Sequence, residues 1–426
     1  MKKTIYFLFI VSFLIVQSCI KDEENIFDSS AAERMTTALS GYNTILQGAP
    51  NGWIMEYYPE EEHAIGGYIF LCSFNSSGQV TVASEITTKN HQPGDQVTSL
   101  YKFISDQGPV LSFDTYNEIF HYFSEPSGSD VDGNAGDYEF IVTKADQDSV
   151  IMKGKKYANK IVMTPLPEGT DWNEYLQQII DVENQCPFGS YKLFLNDNQD
   201  AAAVVTQTER AFNFEYTEGG ETETISQSFI YTTTGLKFYE PFTLGGVTME
   251  HFDWNSEENA FVCSDAGVSA RLEVSLPDNY MYYSDYIGNW NFEDYYGTVS
   301  ITISEKEKNK TFLVSGLDFD ILMNYNRANG TVEITTQEVG TYEGYTVLLC
   351  AWSLSSGGYF NSNESNVGMV GEWDGEDPDN ILVNFSDNGQ WSGYEIDSFI
   401  FYMFTSSGSG VGVYSRLAYV SSMTKQ

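Results

Sequence analysis

The fold is decided first by the stretch DYEFIVTKADQDSVIMKG, which spans residues 137–154. Its two ends, 137–144 and 148–154, are short runs that contain aromatic and β-branched side chains, a composition typical of β-strands. Ala145-Asp146-Gln147 separates the runs, and a short polar break between two such runs favours a hairpin. The stretch therefore predicts two antiparallel neighbouring strands.

The same pattern continues in both directions along the chain. Strand-like runs cover residues 52–58, 66–74 and 78–86 upstream, and residues 160–166 downstream. Short strands repeated at short intervals are typical of antiparallel sandwiches and barrels. Because helices do not alternate with the strands, a parallel α/β fold is disfavoured. We expect a mainly β protein made of several such modules.

Two segments carry helical signals instead. Ser30 and Glu33 match a capping box ahead of an apolar stripe, and Gly48 ends that helix. Asp171 begins the second, in which apolar residues recur at helical spacing as far as Pro187. These signals predict an N-terminal helix and one connector helix, both docked on sheets.

The amino terminus has the pattern of a secreted and lipidated protein. Lys2 and Lys3 precede an apolar stretch, residues 4–16, with the length of a signal-peptide core. The residues that end at Cys19 resemble a bacterial lipobox, which implies cleavage before this cysteine and its acylation by palmitate-type chains. We expect such chains to anchor the protein in a membrane.

An acidic cluster follows the cysteine directly. Lys21, Asp22, Glu23 and Glu24 resemble the export signal of Bacteroidetes-type outer-membrane lipoproteins. This resemblance implies an outer-membrane, lipid-anchored protein exposed at the cell surface. The alternative is a solvated acidic tether, since charge runs are usually solvated.

Composition excludes some classes of protein. The formal net charge is −39, and a surface of that sign repels nucleic acid, whose recognition needs clustered Lys and Arg. Hydrophobic residues make up 42% and aromatic residues 15%, enough to build cores, so the chain is not disordered. We expect a folded protein with no nucleic-acid partner.

Cysteine spacing gives no metal or redox motif. Cys72, Cys186, Cys263 and Cys350 are far apart and form no CxxC pair. We expect them mainly as small buried apolar residues. Disulfide bonds between them remain an alternative, because an exported protein can form them.

Gly52-Trp53 and Gly288-Asn289-Trp290 open two of the strand series, and a Gly-x-Trp at a first strand resembles the calycin barrels. The fold prediction is therefore antiparallel sandwiches or calycin-like barrels.

The predicted organisation is a signal peptide (1–18), a lipidated acidic tether (19–30), the N-terminal helix with a first β module (31–167), the connector helix (168–187), a second β module (188–280) and a C-terminal β module (281–426).

Several motifs together resemble an uncharacterised family of Bacteroidetes outer-membrane lipoproteins. The resemblance implies an association with SusC/SusD-type uptake systems, and so a TonB-dependent transporter and a SusD-like lipoprotein as partners. It implies no activity, and no catalytic residue is carried over. The motifs are Glu33-Arg34-Met35, Asn51-Gly52-Trp53, Glu56-Tyr57-Tyr58-Pro59, Gly67-Tyr68, Gly136-Asp137-Tyr138-Glu139-Phe140, Lys153-Gly154-Lys155-Lys156, Pro165-Leu166 and, more loosely, Gly235-Leu236.

One loop is a candidate calcium site. Asp130, Asp132, Asn134 and Asp137 place oxygen donors in a glycine-containing loop, as a hard cation requires. The spacing departs from an EF-hand, and the alternative is a polar hairpin loop. No cofactor is firmly indicated, and calcium is the one candidate.

Two aromatic stretches are candidates for a ligand platform beside polar groups. One contains Trp290 and Tyr295, and the other contains Trp391, Tyr394 and Glu395. The alternative is that these aromatic residues pack between modules.

The sequence contains no G-x-S-x-G and no H-E-x-x-H motif, so an enzyme is less expected than a binding protein. We expect a non-catalytic surface lipoprotein that binds a glycan or peptide for an outer-membrane nutrient uptake system. Two alternatives stay open, a carboxylate- or metal-dependent hydrolase and a structural or adhesion spacer.

Overall fold

A computed structural model describes residues 29–106, 108–126 and 133–426. The predicted signal peptide, the lipidation site Cys19, the export signal Lys21 to Glu24, and the candidate calcium ligands Asp130 and Asp132 lie outside the described residues. The described chain is mainly β, which confirms the predicted fold class.

Both predicted helices are present. Helix α1 spans Ala31–Gln47, and the Ser30 hydroxyl and Glu33 carboxylate form the predicted capping box. Helix α2 spans Trp172–Gln185, and the Asp171 carboxylate accepts a hydrogen bond from the Glu174 amide. Two shorter helices are a 3-10 turn at Tyr122–Ser124 and α3 at Tyr283–Tyr286.

The first eight strands form a closed antiparallel barrel in chain order. The hairpin predicted from residues 137–154 is confirmed as β6 and β7, and Asp146 accepts the Asp148 and Ser149 amides in the turn between them. The strands are β1 Trp53–Tyr57, β2 Tyr68–Phe74, β3 Gln79–Ser84, β4 Val97–Ser105, β5 Pro109–Phe113, β6 Glu139–Ala145, β7 Val150–Gly154 and β8 Lys160–Pro165.

The next eight strands form a second closed barrel. Aromatic side chains fill it, with Phe212 in ring contact with Tyr191, Phe229 and Phe261. The strands are β9 Ser190–Leu195, β10 Ala203–Thr208, β11 Ala211–Glu218, β12 Glu221–Tyr231, β13 Gly235–Leu244, β14 Val247–Asn255, β15 Ala260–Cys263 and β16 Ala270–Val274.

The remaining strands form a third barrel and an additional sheet. They are β17 Gly288–Asp294, β18 Gly297–Glu307, β19 Thr311–Ser315, β20 Ile321–Asn326, β21 Thr331–Thr335, β22 Gln337–Tyr342, β23 Tyr345–Ser353, β24 Tyr359–Asn361, β25 Gly368–Trp373, β26 Leu382–Asp387, β27 Ser398–Phe404, β28 Gly410–Leu417 and β29 Ser422–Lys425. The third barrel is β17-β18-β19-β20-β21-β25-β26-β29. The side sheet, as we call the other five strands, has the order β22-β23-β27-β28, with β24 paired to β23.

Closure decides between the two predicted β architectures in favour of barrels. The last strand of each series pairs with the first: β8 with β1, β16 with β9 and β29 with β17. Closure gives every strand two neighbours, so its backbone N–H and C=O groups are paired on both sides. A sandwich would leave edge strands in each module.

The described chain divides into two compact units. Unit 1 contains Phe70–Thr170 and the described residues before position 58, while unit 2 contains Tyr58–Ile69 and Asp171–Gln426. The second and third barrels therefore belong to one unit.

The four described cysteines are free thiols, and Cys72, Cys186 and Cys350 are buried. Burial raises the pKa of the Cys186 thiol to about 12, so these cysteines behave as apolar core residues. In the described part of the chain, no helix has the length and apolar character needed to cross a bilayer.

Candidate aromatic ligand site

Three aromatic rings form a connected cluster at the surface of the third barrel module. The Trp391 and Tyr394 rings stack with their centroids 4.2 Å apart and their planes 26° apart. Tyr359 meets Tyr394 edge-on at 5.4 Å and is 59% exposed. We call Trp391, Tyr394 and Tyr359 the aromatic platform.

The platform is supported from below. Trp391 is partly buried, and its ring packs against the core of the third barrel. Ile396, in the same loop between β26 and β27, is almost fully buried in that core. These two apolar contacts hold the loop against the barrel while Tyr394 and Tyr359 stay at the surface.

Asn388 fixes the start of this loop. Its side-chain amide donates to Glu333 Oε1 at 2.5 Å and to the Asn366 carbonyl at 2.8 Å. Its carbonyl oxygen accepts from the Gly368 and Gln390 amides. Side-chain bonds to the backbone two residues on are the usual way in which asparagine stabilises a turn.

Two glycines allow the loop to turn around the platform. Gly389 has φ +72° and Gly393 has φ +84°, which are left-handed conformations that glycine adopts without steric cost. The Tyr394 amide donates to the Trp391 carbonyl at 3.1 Å, so a tight turn places the two rings on the same side.

Asp397 joins the platform loop to the segment that leads into Tyr359. Its two carboxylate oxygens accept the Leu354 and Ser355 amides, each at 3.0 Å. Partial burial acts to raise the pKa of Asp397, but the hydrogen bonds from Ser355, Ser398 and Leu354 outweigh it and lower the pKa. The ionised carboxylate is therefore the form that holds the two segments together.

Acid should weaken this junction. The pKa of Asp397 is lower in the folded protein than the ordinary value of about 3.9 that it has in the unfolded chain. Its contribution to stability is therefore complete above about pH 3.9, and it is lost as the pH falls through the folded-state pKa. We expect the Leu354 amide resonance, followed by NMR with isotope-labelled leucine, to shift with a midpoint below about 3.9. Asp397→Asn should abolish that transition. A midpoint above the ordinary aspartate value would contradict the assignment.

Polar groups beside the rings remain available. Glu395 is exposed. The Trp391 indole N–H has no hydrogen-bond partner among the described residues. Its nitrogen is not fully buried, so solvent reaches it. The platform and the residue that follows Tyr394 therefore supply aromatic faces, a free donor and an exposed carboxylate, which is the composition of a site for a polar ligand with an apolar face.

Trp290 is not part of a surface platform, which corrects the prediction. Its side chain is 0% exposed in the third barrel, because Trp290 and Phe292 point inward while Asn289 and Asn291 point outward along β17. Tyr295, at the turn after β17, is 73% exposed and contacts the rings of Tyr296 and Tyr419. Among the described residues, no ring contact joins these tyrosines to the platform.

In the described part of the candidate calcium loop, Asp137 makes hydrogen bonds within the folded structure. The two Asp137 carboxylate oxygens accept the Lys156 and Tyr157 amides, each at 2.9 Å. Burial raises the pKa of Asp137, and Asn134 is exposed. A Cβ on Gly154 would lie 2.2 Å from Asp137 Oδ2, which explains the glycine there. The described residues contain no cluster that could hold a metal ion.

Sequence reasoning missed Tyr359. It follows Gly357-Gly358, and an aromatic residue directly after a glycine turn was the available signal. Nothing local indicated that it would meet Tyr394, since Tyr359 begins β24 and Tyr394 lies in the loop between β26 and β27.

These features define a mainly β protein built on closed antiparallel barrels, with a surface aromatic cluster. The chain belongs to the family described as Domain of unknown function (DUF4302), whose model matches residues 23–256. Residues 264–402 are similar to a second family, also described as a domain of unknown function, DUF4987. No curated protein and no solved structure matched the chain.

Proposed function

We propose that the protein is a non-catalytic binding protein for a neutral glycan, with the aromatic platform as its binding surface. The stacked pair of Trp391 and Tyr394, extended by the exposed ring of Tyr359, is the observation that carries the proposal. A glycan was one of the two ligand classes expected from the sequence, and the arrangement of these rings favours it.

A sugar ring suits this surface on both of its chemical sides. Its apolar face carries C–H groups that match the electron-rich face of an aromatic ring. Its hydroxyl groups can bond to Glu395 and to the Trp391 indole N–H, both of which are accessible. The net charge of −39 disfavours an anionic ligand, so a neutral glycan fits this protein better than an acidic one.

The proposed location is the outer face of an outer membrane, with a lipid anchor at Cys19. This part rests on the lipobox and on the acidic signal at positions 21–24. A TonB-dependent transporter and a SusD-like lipoprotein are the proposed partners, on the resemblance of the sequence motifs. A glycan bound at the platform would then be held close to its uptake system.

Ligand binding by platform variants tests the function. We expect the lipid-free protein to bind at least one neutral oligosaccharide in a calorimetric panel of α- and β-linked glucose, mannose and xylose oligomers. Trp391→Ala should weaken that binding at least about tenfold, which corresponds to about 1.4 kcal/mol, because the stacking surface is lost. Trp391→Phe should weaken it less, since a ring remains.

Trp391 also packs on the barrel, so a second variant separates binding from folding. Tyr359→Ala removes a mainly exposed ring, and it should weaken binding while leaving the melting temperature unchanged. Tyr342→Ala, an exposed tyrosine of the side sheet that contacts Tyr414 instead, is the matched control and should do neither. The proposal would be overturned if Trp391→Ala and Tyr359→Ala both bound the oligomer as tightly as the parent protein, or if the parent protein bound no oligomer.

A further inference from the structure

We propose that the cleft between the second and third barrels is a second part of the same binding site, and that it takes further sugar residues of a glycan chain seated on the platform. This inference rests on the proposed function and adds to it the length of the ligand. The cleft has a volume of about 460 Å³ and lies within one compact unit of the protein.

Both barrels contribute walls to the cleft. The second barrel supplies Gln207, Thr208 and Glu209, from the end of β10 and the turn after it. The third supplies residues 309–311, 324–328 and Glu333, from the β18–β19 turn, β20 with the turn after it, and β21. Most of these side chains are polar, which suits a ligand rich in hydroxyl groups.

The turn between β20 and β21 fixes the two walls relative to each other. The Arg327 carbonyl accepts hydrogen bonds from the Gly189 amide at 3.0 Å and from the Tyr280 hydroxyl at 3.1 Å. A Cβ on Gly189 would lie 2.8 Å from the Ala328 nitrogen, so the backbones approach as closely as glycine permits. The cleft is therefore formed before any ligand binds.

The cations of the cleft already have partners. Lys310 Nζ lies 3.3 Å from Glu209 and 3.2 Å from Glu307. Arg327 donates to the Phe188 carbonyl at 3.3 Å. An anionic ligand would have to compete with these carboxylates and with the charge of the whole protein, so the cleft favours a neutral one.

Uncommitted amide groups face the cleft. Within the described part of the chain, the side chains of Asn309 and Asn324 have no hydrogen-bond partner, although both residues line the cleft. Each amide offers two donors and an acceptor, which matches vicinal hydroxyl groups. A peptide is a poorer fit, since the strands here belong to closed barrels and offer no free edge for main-chain pairing.

The cleft and the platform are connected along the surface of the third barrel. Glu333 lines the cleft and accepts a hydrogen bond from Asn388 at 2.5 Å. Asn388 lies three residues before Trp391, so the two Cα atoms are at most about 11 Å apart. One side-chain contact and three residues of chain therefore link the cleft lining to the platform, and a longer oligomer covers more of this surface than a disaccharide does.

Chain-length dependence of binding tests this inference. The probes are the disaccharide and the hexasaccharide of whichever neutral oligomer binds in the panel above, measured by calorimetry. The parent protein should bind the hexasaccharide more tightly. Asn324→Ala should weaken hexasaccharide binding about three- to tenfold, as expected for the loss of ligand hydrogen bonds, and leave disaccharide binding unchanged. Asn324→Thr, with a side chain suited to a strand, should act in the same way.

The controls separate the cleft from the platform. Asn384→Ala removes an exposed strand asparagine of the same barrel outside the cleft, and it should change neither affinity. Trp391→Ala should weaken binding of both probes. If both Asn324 variants bind the hexasaccharide like the parent protein, the cleft inference is wrong while the platform stands. If the parent protein binds no oligomer, the proposed function fails and this inference fails with it.

Discussion

Replacing Trp290 by alanine should lower the free energy of unfolding of unit 2 by about 3–5 kcal/mol, the usual cost of truncating a buried tryptophan. The indole is completely buried, and its N–H donates to the Tyr286 carbonyl at 2.7 Å. The Trp290 ring also stacks on Tyr286, with the centroids 6.1 Å apart. Alanine would therefore leave a cavity and an unpaired buried carbonyl.

Urea unfolding followed by far-UV circular dichroism measures this loss. Tyr296→Ala is the matched control, since it removes an aromatic ring from the turn after the same strand, but one that is 69% exposed. We expect its effect to stay within about 0.5 kcal/mol. Equal stability of Trp290→Ala and the parent protein would show that the tryptophan is not a core residue after all.

Replacing Arg210 by alanine is expected to cost about 3 kcal/mol of the stability of the same unit, at the low end for breaking a buried ion pair because Glu183 is partly exposed. Arg210 is 5% exposed and donates to the Gly67 carbonyl at 2.8 Å and to Glu183 at 2.7 Å. Its guanidinium also lies over the Tyr68 ring at 4.1 Å.

Lysine should not rescue this site, because a single ammonium group cannot reproduce a planar guanidinium that bonds in two directions and stacks on a ring. Limited proteolysis supplies a second readout, since loss of the bond to Gly67 should expose the segment Tyr58–Ile69 to cleavage. Arg271→Ala is the matched control. Arg271 pairs with Glu273 and lies 4.7 Å from the Phe194 ring, but it is partly exposed, so we expect a cost below about 1 kcal/mol. Similar costs for both arginines would contradict this account.

The fold was predictable where the signals are local. The capping box at Ser30, the Asp171 cap and the hairpin within residues 137–154 depend on neighbours a few residues apart, and all three are confirmed. Closure was not predictable, since pairing of Trp53 with Pro165 joins segments that lie far apart in sequence. A sandwich and a barrel share the same strand pattern until that pairing is known.

The candidate site was predictable only in part. Trp290 and Trp391 both occur near turn residues, but the alternation around Trp290 places it on the inward face of β17. A closer reading of that two-residue period separates the two tryptophans. The cleft was not accessible to sequence reasoning, since Asn324 and Gln207 come from different barrels and have no common motif.

The side sheet is the part of this protein where two chains could pair through their strands. Of the sheets in the described part of the chain, it is the one with free edges, at β22, β24 and β28, because the three barrels close on themselves. Open edges are where chains add strands to one another and begin to aggregate. Strand β28 is irregular against β27, with register shifts at Phe401/Tyr402 and Met403/Phe404, and it carries the exposed cation of Arg416. Irregular pairing and an exposed charge both hinder an edge strand from pairing with another chain. The features of β28 therefore protect this edge of the side sheet against self-association.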